Sequence, residues 1–366
     1  MTKQAPQTIL VALLAVAVLA ACSTTADEPL APPPVVPVET TQIPPASPPQ
    51  TPTVTLTPTP ALTRLTEPGC CTLPTWSADS TQVRFIDRPA STQQVGLYAV
   101  GLDGGPPTLV SERLGKYSPD QRFMAYPEDD ETYVEDVTTG QRWLIDNGGR
   151  QVFFSPSGNR LAWSKSLSGG GYDVRPEEIN VTALSGTVPV ESFTVFGGGY
   201  SGWLDDDHLL VAGKLDPESE RVLFSLSLQD GTLVELARGE RVRSGIAAPG
   251  GEWVAYIVLL DQEQPENNGI WIVSADGQQR FQLDLFGAFQ WRDANHLLLV
   301  PQETTAGPPS HRLVEIDATT GQSRPLTDPL VTPFVIEGGD WQVSPDGRHV
   351  VFVSATDRAI WLLALP

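Results

Sequence analysis

Two adjacent cysteines, Cys70 and Cys71, are the residues of this chain whose chemistry depends most directly on spacing. Neighbouring Cα atoms are about 3.8 Å apart, which is closer than most disulfides prefer, so a bond between the two would close a strained ring. In an oxidising compartment the pair could form this vicinal disulfide, remain as two buried thiols, or bridge two molecules. A zinc site would need more ligands than the pair offers.

Local motifs that present a nucleophile or a phosphate-binding loop are absent from the sequence. The Gly-x-Ser-x-Gly turn of α/β-hydrolases does not occur, because the stretch from Gly199 to Trp203 has the wrong spacing. The Gly-rich stretches Gly169–Gly171 and Gly197–Gly199 precede neither a helical pattern nor a Gly-Lys-Ser/Thr sequence, so we interpret both as loops. We therefore predict no catalytic residue and no cofactor.

Histidines and carboxylates raise the question of a metal site. His208, His296 and His349 occupy equivalent positions in a repeated segment, each just before a predicted strand. That strand is not expected to be the innermost of its repeat, so the three imidazoles should lie far apart, and we predict no metal. The acidic runs 128–131 and 205–207 are interpreted as solvated loop charge, because a Ca²⁺ site needs several converging oxygens.

A repeated nine-residue segment must position all of these groups. Its clear form is Ser-Pro-Asp-Gly followed by a short apolar strand, and the copies start at Ser77, Ser118, Ser155, Leu204, Ala248, Arg292 and Ser344. The copies at Leu204 and Arg292 are one residue shorter, and successive starts are 41, 37, 49, 44, 44 and 52 residues apart. This period predicts seven repeated units built from short strands.

Each copy combines turn chemistry with a strand. Pro presets φ, Asp can bond its own backbone and Gly accepts positive φ, which is typical of a tight turn. An aromatic residue ends the strand in five copies, and we predict that these rings fill the core between stacked sheets: Phe85, Tyr126, Trp163, Tyr256 and Phe352. A second turn signal, such as Asp103-Gly104 or Asp276-Gly277, follows 22 to 31 residues after each of the first six starts and predicts a hairpin.

The last unit lacks the strand that should follow its third strand, because the sequence stops after Ile360 to Leu365. The corresponding position ahead of Ser77 is occupied by Ala61 to Thr66. We predict that this N-terminal segment pairs with Ile360 to Leu365 and joins the first and last units, which removes a free sheet edge.

The repeated segment resembles the blade signature of bacterial TolB-like and WD-repeat-like β-propellers, over roughly residues 61–366. The resemblance implies an all-β fold, a seven-bladed β-propeller of four-stranded blades around a central channel. It does not imply one function, since such propellers serve as partner-binding platforms, as gates on peptidases and as parts of envelope assemblies.

The N-terminal residues indicate export and anchoring. Residues 9–21 are an unbroken apolar run of secretory length, too short to span a bilayer. The run ends in Leu19-Ala20-Ala21-Cys22, which resembles the lipobox of bacterial lipoproteins and implies that Cys22 is lipidated. Residues 22–60 belong to a Pro/Thr-rich tether, and thirteen of the 34 Pro fall between Pro29 and Pro68.

We thus predict a signal peptide over residues 1–21, a disordered tether over 22–60 and a propeller over 61–366. The net charge of −21 makes nucleic acid an improbable partner and favours neutral or cationic ones. The expected function is a non-catalytic binding platform, held by lipid at a bacterial envelope, for an unidentified protein or ligand. The alternative is a propeller enzyme of lyase, lactonase or cyclase type with its site at the channel mouth.

Overall fold

A computed structural model describes residues 61–366 except 71, 91, 146, 185–190 and 303–309. The signal peptide, Cys22 and the tether predicted above lie outside the described residues. In the described part of the chain, runs of β-branched and aromatic residues between the turn signals form 27 strands. They are β1 (Leu62–Arg64), β2 (Thr72–Trp76), β3 (Gln82–Asp87), β4 (Gly96–Gly101), β5 (Gly104–Ser111), β6 (Lys116–Tyr117), β7 (Phe123–Glu128), β8 (Glu131–Asp136), β9 (Arg142–Ile145), β10 (Phe153–Phe154), β11 (Arg160–Ser166), β12 (Pro176–Ala183), β13 (Glu191–Trp203), β14 (His208–Lys214), β15 (Val222–Ser227), β16 (Leu233–Arg238), β17 (Val242–Ala247), β18 (Trp253–Val258), β19 (Gly269–Ser274), β20 (Arg280–Gln282), β21 (Gly287–Trp291), β22 (His296–Pro301), β23 (Val314–Asp317), β24 (Ser323–Pro325), β25 (Ile336–Val343), β26 (His349–Ser354) and β27 (Ile360–Ala364).

Two short 3₁₀ turns, Tyr172–Val174 and Pro265–Asn267, are the helical elements of the described residues. All strand pairs are antiparallel, and the strands form five four-stranded sheets and one seven-stranded sheet. The four-stranded sheets contain β2–β5, β6–β9, β17–β20, β21–β24, and β25–β27 with β1. The all-β propeller architecture is confirmed, with four-stranded sheets as its repeating element.

The seven-stranded sheet differs from the predicted pattern because one long strand crosses it. The first part of β13 pairs with β12 and its last part pairs with β14, with Phe196 facing a partner on both sides. Gly198 permits this arrangement, since a Cβ there would lie only 1.9 Å from the carbonyl oxygen of Ala212. Our interpretation of Gly197–Gly199 as a loop was therefore wrong, because these residues lie within β13.

The repeated segment forms the same turn in all seven copies. In each, the backbone N–H of the first residue donates to the carbonyl at the start of the following strand, at 2.8 to 2.9 Å. In the first copy the Ser77 hydroxyl and the Thr81 hydroxyl and amide donate to the Asp79 carboxylate, and these bonds lower the pKa of Asp79 to about 2. We call the end of the sheets that carries these turns the motif end.

Adjacent motif turns contact one another across sheet boundaries. The Asp346 amide donates to the Ser80 hydroxyl at 3.1 Å, so the last copy meets the first. Gln121 Nε2 donates to the Trp76 carbonyl at 3.0 Å, which links the second sheet to the first. Within the seven-stranded sheet, the Ser157 amide donates to Asp206 Oδ1 at 3.0 Å and links its two motif turns.

The N-terminal strand closes the structure as predicted. In the pairing of β1 with β27, Leu62 lies opposite Leu363 and Arg64 opposite Trp361. The side-chain hydroxyl of Thr66 accepts a hydrogen bond from the buried Ile360 amide at 2.9 Å. The sheet that ends the sequence thus takes its outer strand from the beginning of the described chain.

Candidate functional site

Hydrophobic clusters fill most of the junctions between successive sheets. Six clusters of buried residues occur, and five of them join one sheet to the next, while the sixth joins the two halves of the seven-stranded sheet. Among the described residues, no such cluster lies between the sheets β2–β5 and β6–β9. A cavity of about 780 Å³ occupies this junction. We call it the cationic cavity.

Arg84 is the residue that distinguishes this junction. On β3, Val83 and Phe85 are fully buried in the cluster shared with the closing sheet, whereas Arg84 and Ile86 project from the opposite face into the cavity. In every copy, the equivalent position is the next-to-last residue of the repeated segment. In the other six it carries a buried apolar residue, namely Ala125, Ala162, Leu210, Ala255, Leu298 and Val351.

The lining of the cavity carries positive charge without a carboxylate. Arg84 comes from β3, Lys116 from β6 and Arg150 from the turn before β10. No Asp or Glu is among the residues that line the cavity in the described chain. Since carboxylates outnumber cations by 44 to 23 in the sequence, a lining with three cations and no acid runs against the composition of the protein.

The guanidinium of Arg84 is only partly satisfied within the protein. Its Nε is buried and has no hydrogen-bond partner among the described residues. Its Cζ lies 5.5 Å from the centre of the Tyr117 ring, which places the cation over the ring face. A buried charged donor without a partner is costly, and an anionic ligand would supply the missing acceptor.

The backbone around Arg150 is fixed by neighbouring side chains. Its carbonyl accepts hydrogen bonds from Asn147 Nδ2 at 2.8 Å and from Thr132 Oγ1 at 3.1 Å, and both donor residues are buried. Arg150 Nη1 in turn donates to the Asn147 carbonyl at 2.8 Å. These bonds fix the turn that brings Arg150 to the cavity wall.

Three aromatic rings complete the wall: Trp76, Tyr117 and Tyr126. The Tyr126 hydroxyl donates to Glu135 Oε2 at 2.9 Å. Burial, and after it this bond to a carboxylate, raises the pKa of Tyr126. Tyr126 therefore stays protonated and engaged with Glu135, and Tyr117 is the second phenol in the cavity wall.

The other predicted core rings behave as expected. Phe85, Trp163, Tyr256 and Phe352 each lie in one of the hydrophobic clusters. Tyr126 is the exception, since it is buried but faces the cationic cavity.

Of the three cysteines, Cys70 lies within the described residues. Cys70 is disulfide-bonded and packs against the hydrophobic cluster between the first and last sheets. Cys71 and Cys22 lie outside the described residues, so lipidation of Cys22 and the bond between Cys70 and Cys71 stay predictions.

Two of the three histidines at equivalent repeat positions pair with a carboxylate of their own turn. His208 Nδ1 lies 2.9 Å from Asp205 Oδ1, and His296 Nδ1 lies 2.9 Å from Asp293 Oδ1, each within its own motif turn. The buried Nδ1 of His349 has no hydrogen-bond partner among the described residues, and its ring centre lies 6.1 Å from that of Trp76.

The acidic runs also form separate contacts. Asp206 accepts from the Ser157 amide, and Asp207 lies 3.3 Å from Arg160, so these carboxylates tie adjacent turns together. Glu128 pairs with Arg142, and Glu131 accepts from the Tyr133 hydroxyl at 2.8 Å.

The arrangement of the cavity can bind and polarise a carboxylate. Two or three cations around an anionic group neutralise its charge, and the aromatic rings give the cavity apolar walls. The signal was present in the sequence, because Arg84 breaks an otherwise apolar repeat position. The role of Arg84 becomes recognisable only when all seven copies are aligned and the sheet that faces Arg84 is known.

The fold is shared with solved enzymes. An oligogalacturonate lyase in complex with manganese superposes with a TM-score of 0.57 at 16% identity, covering 83% of this chain and 93% of that chain. An oligogalacturonate lyase from Vibrio parahaemolyticus gives 0.59 at 13% identity, over 83% and 93%. The β-propeller domain of the Trilobed protease from Pyrococcus furiosus, which has an open velcro topology, gives 0.55 at 13% identity, over 81% and 96%. The chain matches no protein-family model and no curated protein sequence.

These comparisons correct the expected function. We expected a non-catalytic binding platform, but the propellers that share the fold are a lyase and the propeller of a protease, so the enzyme alternative is the better supported. At 13 to 16% identity, the likeness establishes the propeller fold alone.

Neither a metal centre nor a membrane span is evident in the described chain. Among the described residues, no group of three or more His, Cys, Asp or Glu side chains could hold a metal ion, so these residues do not fit the manganese of the similar lyase. Within the same residues, no helix is long and apolar enough to cross a membrane.

Proposed function

We propose that this protein is a propeller lyase that cleaves an anionic sugar chain by β-elimination in the cationic cavity. The observation that carries the proposal is Arg84, a cation at a junction that is apolar in every other copy, facing Lys116 and Arg150 with no carboxylate in the lining. The similar lyases are named for oligogalacturonate, whose sugar units each carry a carboxylate.

The elimination uses four side chains in three roles. Arg84 and Arg150 hold the carboxylate and stabilise the negative charge that spreads onto it when the adjacent carbon loses its proton. Lys116 first gives its own proton to water, and its uncharged amine then takes the proton from the carbon, while the electron pair of the C–H bond forms a carbon–carbon double bond and the C–O bond to the leaving sugar breaks. The Tyr117 hydroxyl gives its proton to the leaving oxygen, and transfer of a proton from Lys116 back to Tyr117 restores both groups.

The test is a lyase assay on the full-length protein. We expect oligogalacturonate to give an unsaturated product, seen as increasing ultraviolet absorbance, and a fully methyl-esterified oligomer to give none. Arg84→Gln should lower kcat/KM by roughly 100-fold, since it removes a charge-assisted contact that strengthens in the transition state.

The matched control is Arg88→Gln. Arg88 directly follows the strand that carries Arg84, is exposed and does not line the cavity. The activity of the Arg88→Gln protein should therefore equal that of the parent. No unsaturated product from any uronate oligomer, or equal activity of Arg84→Gln and Arg88→Gln, would refute the lyase.

We also propose seven four-stranded blades of the TolB-like kind, with β13 acting as the outer strand of the third blade and the inner strand of the fourth. The seven motif turns and the separate pairings of the two parts of β13 support this count. An experimental structure with a different number of radial sheets would exclude it.

The location at the envelope is a further proposal, supported by the apolar run 9–21 and the lipobox-like residues that end at Cys22. Substituting Cys22→Ser should release the protein from the membrane fraction or leave the signal uncleaved. A Cys22→Ser protein that is still lipidated would contradict the anchor.

A further inference from the structure

Two more cavities continue from the cationic cavity around the channel. The first, of about 380 Å³, shares Lys116, Tyr117 and Pro119 with the cationic cavity. The second, of about 620 Å³, shares Pro156 and Trp203 with the first. Because each pair of neighbours has wall residues in common, the three cavities follow one another around the mouth of the channel.

The lining changes character along this path. Next to Lys116, the first added cavity is walled by Phe153, Tyr200 and Trp203, and the ring centres of Phe153 and Tyr200 are 4.9 Å apart. Burial raises the pKa of Tyr200, so its hydroxyl remains protonated.

The second added cavity has no charged residue in its lining. It combines the rings of Phe289 and Trp291 with the amides of Gln290 and Gln342. The path therefore runs from cations to aromatic rings and then to amides.

The sequence of the inner strands explains this order. The residue two positions before each motif start lines one of the three cavities in six of the seven copies, and the six residues are Thr75, Lys116, Phe153, Ile246, Gln290 and Gln342. Lys116 is the one charged member of this set. At this row of positions, charge is thus confined to one sector of the channel mouth, and the other five residues are neutral.

We propose that the three cavities form one groove that binds several linked sugar units, with a uronate carboxylate in the cationic cavity and the following units on the aromatic and amide walls. Sugar rings have apolar faces that stack on aromatic side chains, while their hydroxyls suit amide partners. The inference rests on the proposed function, since the cationic cavity fixes where the charged unit lies.

The test is the dependence of affinity on chain length. Binding of galacturonate and of its dimer, tetramer and hexamer is measured by titration calorimetry on full-length protein carrying Tyr117→Phe, which keeps the oligomers intact. We expect affinity to rise from monomer to tetramer. Adding Phe153→Ala should weaken tetramer binding by roughly 3- to 10-fold, the size of one lost stacking contact, and leave monomer binding unchanged.

The variants separate the groove from the fold. The Phe153 side chain is 36% exposed and is not one of the buried residues of any hydrophobic cluster. Its truncation should therefore leave the core intact. Phe286→Ala removes a similarly exposed ring, 41% exposed, that lines none of the three cavities, and should bind every length like its parent.

The outcomes distinguish the two claims. Equal affinity for monomer and hexamer, or equal weakening of both by Phe153→Ala, overturns the groove while leaving the lyase intact. Length-dependent binding by a parent protein that yields no unsaturated product supports the groove and overturns the lyase. Failure to bind any length overturns both.

Discussion

Arg84 shows how a single residue can convert a packing position into a binding position. Its six counterparts are at most 4% exposed and apolar, and they contribute to close-packed junctions. Arg84 instead keeps a junction open and brings a buried Nε without a partner. A site of this kind is expected to reduce stability in exchange for function.

That trade-off can be measured with Arg84→Leu, which restores the apolar character of the repeat position. Removing the buried unsatisfied donor should raise the free energy of unfolding by about 1 kcal/mol, and the melting temperature by roughly 2 °C, while abolishing lyase activity. Calorimetry of the full chain checks this, with Arg88→Leu as the surface control. A lower melting temperature for Arg84→Leu than for Arg88→Leu would show that the charge stabilises the junction.

Among the elements, β1 has the most specific structural role. It supplies the outer strand of the closing sheet, and Leu65, which follows it, is buried in the cluster between the first and last sheets. Its pairing with β27 contrasts with the open velcro topology named for the Pyrococcus furiosus propeller.

Truncation tests the contribution of β1. Deleting residues 1–57 should leave the melting temperature unchanged, because every described contact of β1 is retained. Deleting 1–67 removes β1, Leu65 and the Thr66 bond, and should cost at least the 2 to 5 kcal/mol of one truncated core Leu. Equal thermal stability of the two truncated proteins would show that the pairing is dispensable.

The elements were predictable where turn chemistry and periodicity agree. The motif turns form in all seven copies, and the segment Ala61 to Thr66 pairs where the count of strands required a partner. The course of β13 was not predictable, because three successive Gly residues are typical of a loop, and only the approach of Ala212 explains why Gly is needed in a strand. The cavity was missed for a related reason, since local sequence does not reveal which faces of two sheets meet.

At the scale of the whole molecule, the cationic cavity extends from the motif end to the opposite end of the sheets, since its lining includes Pro119 of a motif turn and Arg150 of the turn between β9 and β10. The long connections 167–175 and 259–268 join the second and third strands of their sheets. Those connections lie at the end of the sheets opposite the motif end. Ala61 lies at the motif end, since its carbonyl accepts a hydrogen bond from the Ala364 amide beside the last motif turn.

Net charge and local charge act in opposite directions on an anionic ligand. The total of −21 repels it at a distance, whereas the three cations attract it inside the cavity. Raising the salt concentration shortens the Debye length from about 30 Å at 0.01 M to about 8 Å at 0.15 M, which weakens the distant repulsion most.

We therefore expect the association rate of an anionic oligomer to increase severalfold over this range of salt. Stopped-flow tryptophan fluorescence can follow the reaction, because Trp76 lies in the cavity wall. A neutral oligosaccharide, which also contacts the aromatic walls, should show no such change. An association rate that falls with salt would indicate that the local cations dominate the encounter.

The continuous strand β13 also has a mechanical consequence. Two successive parts of the ring are joined through one continuous strand that pairs with β12 on one side and with β14 on the other, so they cannot slide or tilt past each other without breaking those pairings. At the junction beside Arg84, by contrast, no apolar cluster resists separation among the described residues. The propeller is thus rigid where β13 joins two of its parts and more deformable at the junction beside Arg84. Thermal fluctuations should therefore open it first at the cationic cavity.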